Sequence, residues 1–259
     1  MTETLHYLNP DWHDTLTANQ LVTFDQFWNL QLDAVDEGNT GRGQNGWSRV
    51  SIHRLNSPAH KTRRIVIKRQ NNYRSRTVCH PVRGISTFVK EYNFIQLYKK
   101  LGVPAMTAVY CATRQMDGNL QSILVTEYLE GYQSLFDLLQ QPVTRHQKAH
   151  YIASVASLVA ILHEKGLEHR CLFPKHIFVA DDIAQSARLI DLEKTRGKPW
   201  SVGRRVRDLT ALGRRTRQVP ARDRVSFFRQ YLGLDRLDPD AKKLWQHIEQ
   251  RMNKKTKQA

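Results

Sequence analysis

Residues 163–194 read HEKGLEHRCLFPKHIFVADDIAQSARLIDLEK, and two polar constellations in this stretch decide how the chain is read. The first is His169-Arg170-Cys171, with His176 following five residues after Cys171. The second is Asp191-Leu192-Glu193, directly after the strand-like Arg188-Leu189-Ile190. Each constellation sits against an apolar run, so each is expected to be a short loop held by regular elements. An aspartate at a strand end presents a hard oxygen ligand of the kind magnesium takes.

Length and composition bound what such loops can serve. At 259 residues the chain suits one large domain or two lobes sharing a cleft, and 40% hydrophobic residues is ordinary for a globular core. The balance is strongly basic, 40 Lys+Arg against 24 Asp+Glu, a formal net charge of +16. Such a field attracts polyanions: nucleic acid, anionic lipid headgroups or phosphorylated glycans. No nucleic-acid reading motif or aromatic stacking face accompanies the charge, so nucleic acid is the least supported of the three. The three cysteines, Cys79, Cys111 and Cys171, form no C-x-x-C pair and suggest neither a disulfide framework nor a zinc site. The start, MTETLHYLNPDWHD, has no basic and apolar regions of a signal peptide. The longest uncharged, mostly apolar run, Tyr151–Leu162, is far shorter than the roughly 20 residues of a membrane span. The expectation is a cytoplasmic protein, with peripheral contact at a membrane as a further possibility.

Upstream, residues 36–55 read DEGNTGRGQNGWSRVSIHRL, with Gly38, Gly41, Gly43 and Gly46 preceding strand-like alternation. Gly41 and Gly43 are candidates for a turn whose backbone N–H groups approach an anion; the alternative is a surface loop. Neither a Walker A loop nor a dinucleotide fingerprint is present, because G-K-[ST] is missing and a strand follows the glycines. Arg64-Ile65-Val66-Ile67-Lys68 is a short strand ending in lysine. The spacing of Phe88, Tyr92, Ile95 and Lys99 predicts an amphipathic helix over 86–101, capped by Ser86 and stopped by Gly102 and Pro104. Glu91 borders its apolar face and is expected to reach Lys68. The intervening RQNNYRSRTVCHPVRG reads as an irregular basic insertion or loop. Residues 105–130 predict a hairpin turning at Asp117-Gly118-Asn119. From 134 onward the pattern is helical, with a long apolar helix over 146–165 leading into His169.

In this order the parts match those of phosphoryl transfer, which depends on positioning and on cations at the phosphates. Kinases write their catalytic loop H-R-D-x-x-x-x-N and follow it with a metal-binding aspartate. Lys68 is the candidate phosphate-neutralising lysine, Glu91 its partner, and Asp191 the candidate magnesium ligand. The hairpin exit at Glu127 and Leu129 is where main-chain groups would meet adenine. His176 stands where asparagine usually serves as second metal ligand, but imidazole is a poorer partner for magnesium, and a bond to a phosphate or to the loop backbone is the alternative. Cys171 stands where the aspartate would orient the acceptor hydroxyl. Glu168 and His169 are nearby candidates for the same task. Asp208, seventeen positions after Asp191, leaves no room for a long activation segment and is either a brace for the loop or a solvated helix residue among arginines.

Together these residues resemble the lipopolysaccharide kinase family, bacterial kinases that phosphorylate core heptose or Kdo sugars, and within it the InaA-type branch. The resemblance rests on I-V-I-K ending at Lys68, V-K-E-Y around Glu91, H-R-C-L-F-P-K-H-I-F-V over 169–179, L-I-D-L-E ending at Glu193, and R-D-L over 207–209. It implies an α+β, protein-kinase-like two-lobe fold. Residues 1–130 would form an N-lobe, a small antiparallel sheet plus one helix, and residues 131–259 a larger helical C-lobe. It also implies ATP and Mg2+, and a lipopolysaccharide-core or related anionic glycan acceptor at the cytoplasmic face of the inner membrane. It carries Lys68 and Glu91 over as the phosphate-binding pair and Asp191 as metal ligand. Cys171 departs from the family's aspartate. The expected activity is therefore an ATP-dependent sugar kinase, and the alternative is a pseudokinase acting as a nucleotide-binding stress or regulatory module.

Overall fold

A computed structural model of the chain describes residues 2–35, 46–56, 62–77, 80–182, 184–197 and 202–254. The glycine turn at Gly41 and Gly43 lies outside the described residues. The chain packs as two compact units, Met1–Leu97 with Met106–Glu130, and Tyr98–Ala105 with Gly131–Ala259.

In the first unit the described strands are β1 (Thr2–Leu8), β2 (Trp47–Leu55), β3 (Arg63–Asn71), β4 (Arg74–Thr77), β5 (His80–Ser86), β6 (Ala108–Met116) and β7 (Asn119–Glu127). Five of them form an antiparallel sheet in the order β1-β6-β7-β3-β2. The period-2 alternation of β3 sorts its side chains. Ile65 and Ile67 are fully buried on one face, where the short helices α1 (His13–Ala18) and α2 (Phe24–Trp28) deliver Leu16, Phe24 and Phe27 to the core. Lys68 points to the other face, in register with Leu124 and Val50. Thr23 and Gln26 form a capping box that fixes the start of α2. The β6–β7 hairpin turns at Asp117 and Gly118 with φ of +50° and +78°, the left-handed pair a two-residue hairpin turn demands.

Two elements were not anticipated. Residues 2–8 are an edge strand on β6, although five of the seven are exposed. The stretch read as an irregular insertion contains the β4–β5 hairpin. Gly84 makes that hairpin possible: its φ is +65°, and a Cβ there would lie 2.9 Å from the Ser75 carbonyl oxygen. The hairpin leads into α3 (Thr87–Leu101), and the Ser86 hydroxyl accepts from the Phe88 and Val89 N–H groups as anticipated for an N-cap.

In the second unit, β8 (Tyr132–Ser134) and the short α4 (Leu135–Leu138) precede α5 (Arg145–Glu164). A Thr144–Gln147 capping box starts α5, and Tyr151, Val155, Leu158, Val159 and Leu162 bury one stripe of it. Then come β9 (Leu167–Glu168), the loop bearing His169–His176, and β10 (Ile177–Ala180), which pairs with β8 and with β11 (Arg188–Leu189). β12 (Arg196–Gly197) pairs with β9. The polar loops at 169–176 and 191 are thus tied down at both ends by strand pairing. Helices α6 (Val202–Arg215), α7 (Ala221–Leu232) and α8 (Pro239–Lys254) complete the unit. Helices α4 to α8 surround an apolar cavity of about 420 Å3, lined among others by Leu138, Val155, Leu212, Phe228 and Trp245. Among the described residues no helix is long and apolar enough to cross a membrane.

Candidate active site

In the first unit, Lys68 Nζ donates to Glu91 Oε1 at 2.7 Å. Their side chains are 16% and 3% exposed, so the pair is shielded from the screening that makes surface ion pairs weak. The sheet supplies the lysine from a central strand and α3 supplies the glutamate. Glu91 also raises the Cys111 thiol on the same face, after burial itself. At the end of β7, the Glu127 N–H donates to the Thr107 carbonyl at 2.9 Å and its carboxylate lies 4.0 Å from Arg63. Leu129 follows just past the strand and is half-buried.

In the second unit, Asp208 organises the loop. It is fully buried on α6, and its Oδ2 accepts from the His169 N–H at 2.7 Å while Oδ1 accepts from the Arg170 N–H at 2.8 Å. His163 Nε2 stands 3.4 Å from the same carboxylate, and its Nδ1 lies 2.9 Å from the Tyr231 hydroxyl. One buried carboxylate thereby fixes two consecutive amides of a tight turn in which Arg170 has φ +66°. The anticipated bracing by Asp208 is what the hydrogen bonds describe.

His169 is itself wholly buried, and its Nε2 donates to the Ile190 carbonyl at 2.9 Å. That bond joins the first loop to the second one residue before Asp191. Burial lowers the His169 pKa, against the opposing pull of Asp208. With no exposed edge, this ring positions the loop; it is not offered to a substrate. Glu168, the other residue considered as a substitute base, is 3% exposed in its side chain and pairs with Arg207 at 2.9 Å.

Asp191 adopts a left-handed conformation, φ +58° and ψ +62°, which aspartate tolerates better than most side chains. Its Oδ2 lies 3.2 Å from His176 Nε2. The other nitrogen of that ring, Nδ1, is 2.9 Å from the Cys171 carbonyl oxygen. A carbonyl can only accept, so the ring proton is on Nδ1 and Nε2 carries a lone pair in the neutral imidazole. Burial pushes the His176 pKa down to about 4, so the ring is neutral near pH 7. Its Nε2 faces the Asp191 carboxylate oxygen, whose charge opposes the effect of burial on the ring. The Asp191 carboxylate is the hard oxygen ligand that magnesium takes, with phosphate and water to fill its remaining positions, whereas the His176 imidazole is a poorer partner for that ion. Among the described residues no group of three or more His, Cys, Asp or Glu side chains is arranged to hold a metal by itself.

Cys171 is 8% exposed and its thiol is free. Burial raises its pKa, partly offset by the nearby Lys194. The thiol is therefore neutral at physiological pH and a poor hydrogen-bond acceptor. Its backbone does the structural task, since the carbonyl accepts from both the Phe173 N–H and the His176 ring. Lys194 was not singled out in the sequence; only its return toward Cys171 through the short turn after Asp191 marks it.

The sequence profile described as the lipopolysaccharide kinase (Kdo/WaaP) family matches residues 25–231. The chain belongs to that family. The matched span contains the Lys68–Glu91 pair, the loop with Cys171 and His176, Asp191 and Asp208. The chain is also similar to Protein InaA of Escherichia coli strain K12, with 27% identity over 177 residues, 67% of this chain and 78% of that protein. Its fold is similar to that of a solved structure described as WaaP in complex with acyl carrier protein. The TM-score is 0.65 at 22% identity, covering 98% of this chain and 99% of that one. The likeness shows an α+β, kinase-like fold. Membership of a lipopolysaccharide kinase family supports a sugar kinase role, and a kinase family implies the use of ATP.

Proposed function

We propose that this chain is an ATP-dependent phosphotransferase whose acceptor is a sugar hydroxyl of the lipopolysaccharide core or of a related anionic glycan. The observation that carries the reading is the His176–Asp191 pair, in which the ring Nε2 and a carboxylate oxygen meet at 3.2 Å while Nδ1 is held by the Cys171 carbonyl. ATP with magnesium would supply the phosphoryl group and a cation that offsets charge on the phosphate oxygens. Asp191 would hold that cation through its carboxylate, with His176 Nε2 beside it. Lys68 would neutralise a phosphate, and Glu91 would keep the lysine extended. Asp208 and His169 would hold the loop in the shape that Asp191 and Cys171 require. The net charge of +16 would draw the protein to an anionic acceptor and to the membrane surface that carries it. The test is magnesium-dependent transfer of phosphate from ATP to core sugars by the purified chain, with Asp191→Ala as the background.

A second reading is favoured by Cys171. Loss of a general base typically costs on the order of 100- to 10,000-fold in rate. A neutral buried thiol in that place supports a nucleotide-binding module of low turnover, acting in a regulatory or stress response. Cys171→Asp separates the two readings.

A further inference from the structure

Helix α6 presents Arg207, Thr210, Ala211 and Arg214 at helical spacing, and α8 presents His247, Arg251 and Lys254 in the same way. These two faces line a trough of about 550 Å3 in the second unit. Thr210 and Ala211 are its small lining residues, and the Thr210 hydroxyl donates to the Val206 carbonyl. Its walls are cationic, and no carboxylate lines it.

The charges are only partly answered within the protein. Arg207 pairs with Glu168 at 2.9 Å. Arg214 donates to the Arg251 and Met252 carbonyls, where a cation meets the negative end of the α8 dipole. Arg251 and Lys254, both exposed, form no ion pair among the described residues. Burial and then the neighbouring Arg251, Arg217 and Arg215 hold the Arg214 guanidinium below its ordinary value, as expected where cations crowd one another. An anion entering the trough relieves that crowding.

We infer that the α6–α8 trough is a docking surface for the phosphate headgroups of an anionic bilayer. Among the described residues no phenylalanine, tyrosine or tryptophan lines the trough and its one ring is the His247 imidazole, so it lacks the row of stacking faces on which single-strand binders lay successive bases. A bilayer, by contrast, presents a dense sheet of phosphates to side chains spread over two helix faces. The assignment rests on the glycan-kinase reading in one respect: an acceptor that is part of a lipopolysaccharide is lipid-anchored, and its kinase works at a surface. Each basic residue close to an anionic surface is worth roughly five-fold in partition.

The test is co-sedimentation of the full chain, without nucleotide, with vesicles of phosphatidylglycerol in phosphatidylethanolamine. The variant is Arg251→Glu/Lys254→Glu. A charge-matched control on the same helix, outside the trough, is Lys242→Glu/Lys243→Glu. The expected result is salt-sensitive binding that falls at least about ten-fold in the trough variant and less than about three-fold in the control. The milder Arg251→Gln/Lys254→Gln should lose less in the same direction, which guards against a folding defect. Equal losses in both charge-reversed variants would assign binding to net charge alone and overturn the site. So would duplex DNA binding that only the trough variant loses while its vesicle binding is kept. Stabilisation by inorganic phosphate with no vesicle binding would also overturn it, by assigning the trough to a soluble anion. Because nucleotide is absent, failure here leaves the phosphotransferase reading standing.

Discussion

His176 Nε2 lies 3.2 Å from Asp191 Oδ2 while Nδ1 of the same ring engages the Cys171 carbonyl at 2.9 Å. The backbone of the residue that replaces the usual aspartate thus sets the tautomer of the residue that replaces the usual asparagine. The ring Nε2 is left facing the Asp191 carboxylate, a pair that a bound cation would bridge.

Lys68 and Glu91 should be separable by their effects on nucleotide and on stability. Lys68→Met leaves a carboxylate buried without its ammonium, and removal of one partner of a buried pair costs about 3–5 kcal/mol. The double change Lys68→Met/Glu91→Leu should recover much of that stability without recovering ATP binding. Thermal unfolding with and without ATP checks both statements, since a ligand that binds only the native state raises Tm.

Asp208→Ala should be among the most destabilising single changes. It strips two backbone amides and His163 of their acceptor inside a fully buried site. The cost is about 3 kcal/mol or more. For a chain of this size that lowers Tm by roughly 6–12 °C. Asp208→Asn, which keeps one acceptor oxygen, should lose less. A calorimetric comparison of the two variants is the check.

Cys171→Asp should raise turnover if the loop lacks a base, by a factor on the order of 100 or more. Cys171→Ser, which supplies no carboxylate base, should not. Single-turnover phosphate transfer distinguishes the variants without interference from product release. A fully active native enzyme that gains nothing from Cys171→Asp would remove the pseudokinase reading.

Acid should weaken the metal-free fold before carboxylates titrate. His169 and His176 are both held below the ordinary histidine value by burial, His176 down to about 4. Between the folded and unfolded values the unfolded chain binds more protons, so stability rises with pH across that window. It is complete above the ordinary value of about 6.5 and is lost progressively as pH falls toward about 4. Urea midpoints measured from pH 7.5 to 4.5 should fall, and His176→Gln should flatten part of the slope.

Local patterns made much of this legible from sequence. Lys68, Glu91 and Asp191 are marked by short strands and a helix whose periodicity is self-contained, and two of the three meet as expected. The strand at 2–8 was not legible, because an edge strand with five exposed residues carries little apolar alternation. The β4–β5 hairpin hid in a basic run, its turn geometry depending on how closely Gly84 approaches Ser75. Asp208 read as a loop brace or as one more solvated acid among arginines; tertiary packing decides for the brace by removing it from solvent and aiming it at two amides. The His176 tautomer is set by a carbonyl that no side-chain pattern reveals.

The central claim is tested most directly by transfer of radiolabelled γ-phosphate from ATP to lipopolysaccharide-core sugars, with magnesium present or chelated, for wild type and Asp191→Ala. The account predicts magnesium-dependent labelling by the wild type that drops to background in Asp191→Ala. Labelling by Asp191→Ala at the wild-type rate, or no labelling by either with every core acceptor, would contradict it.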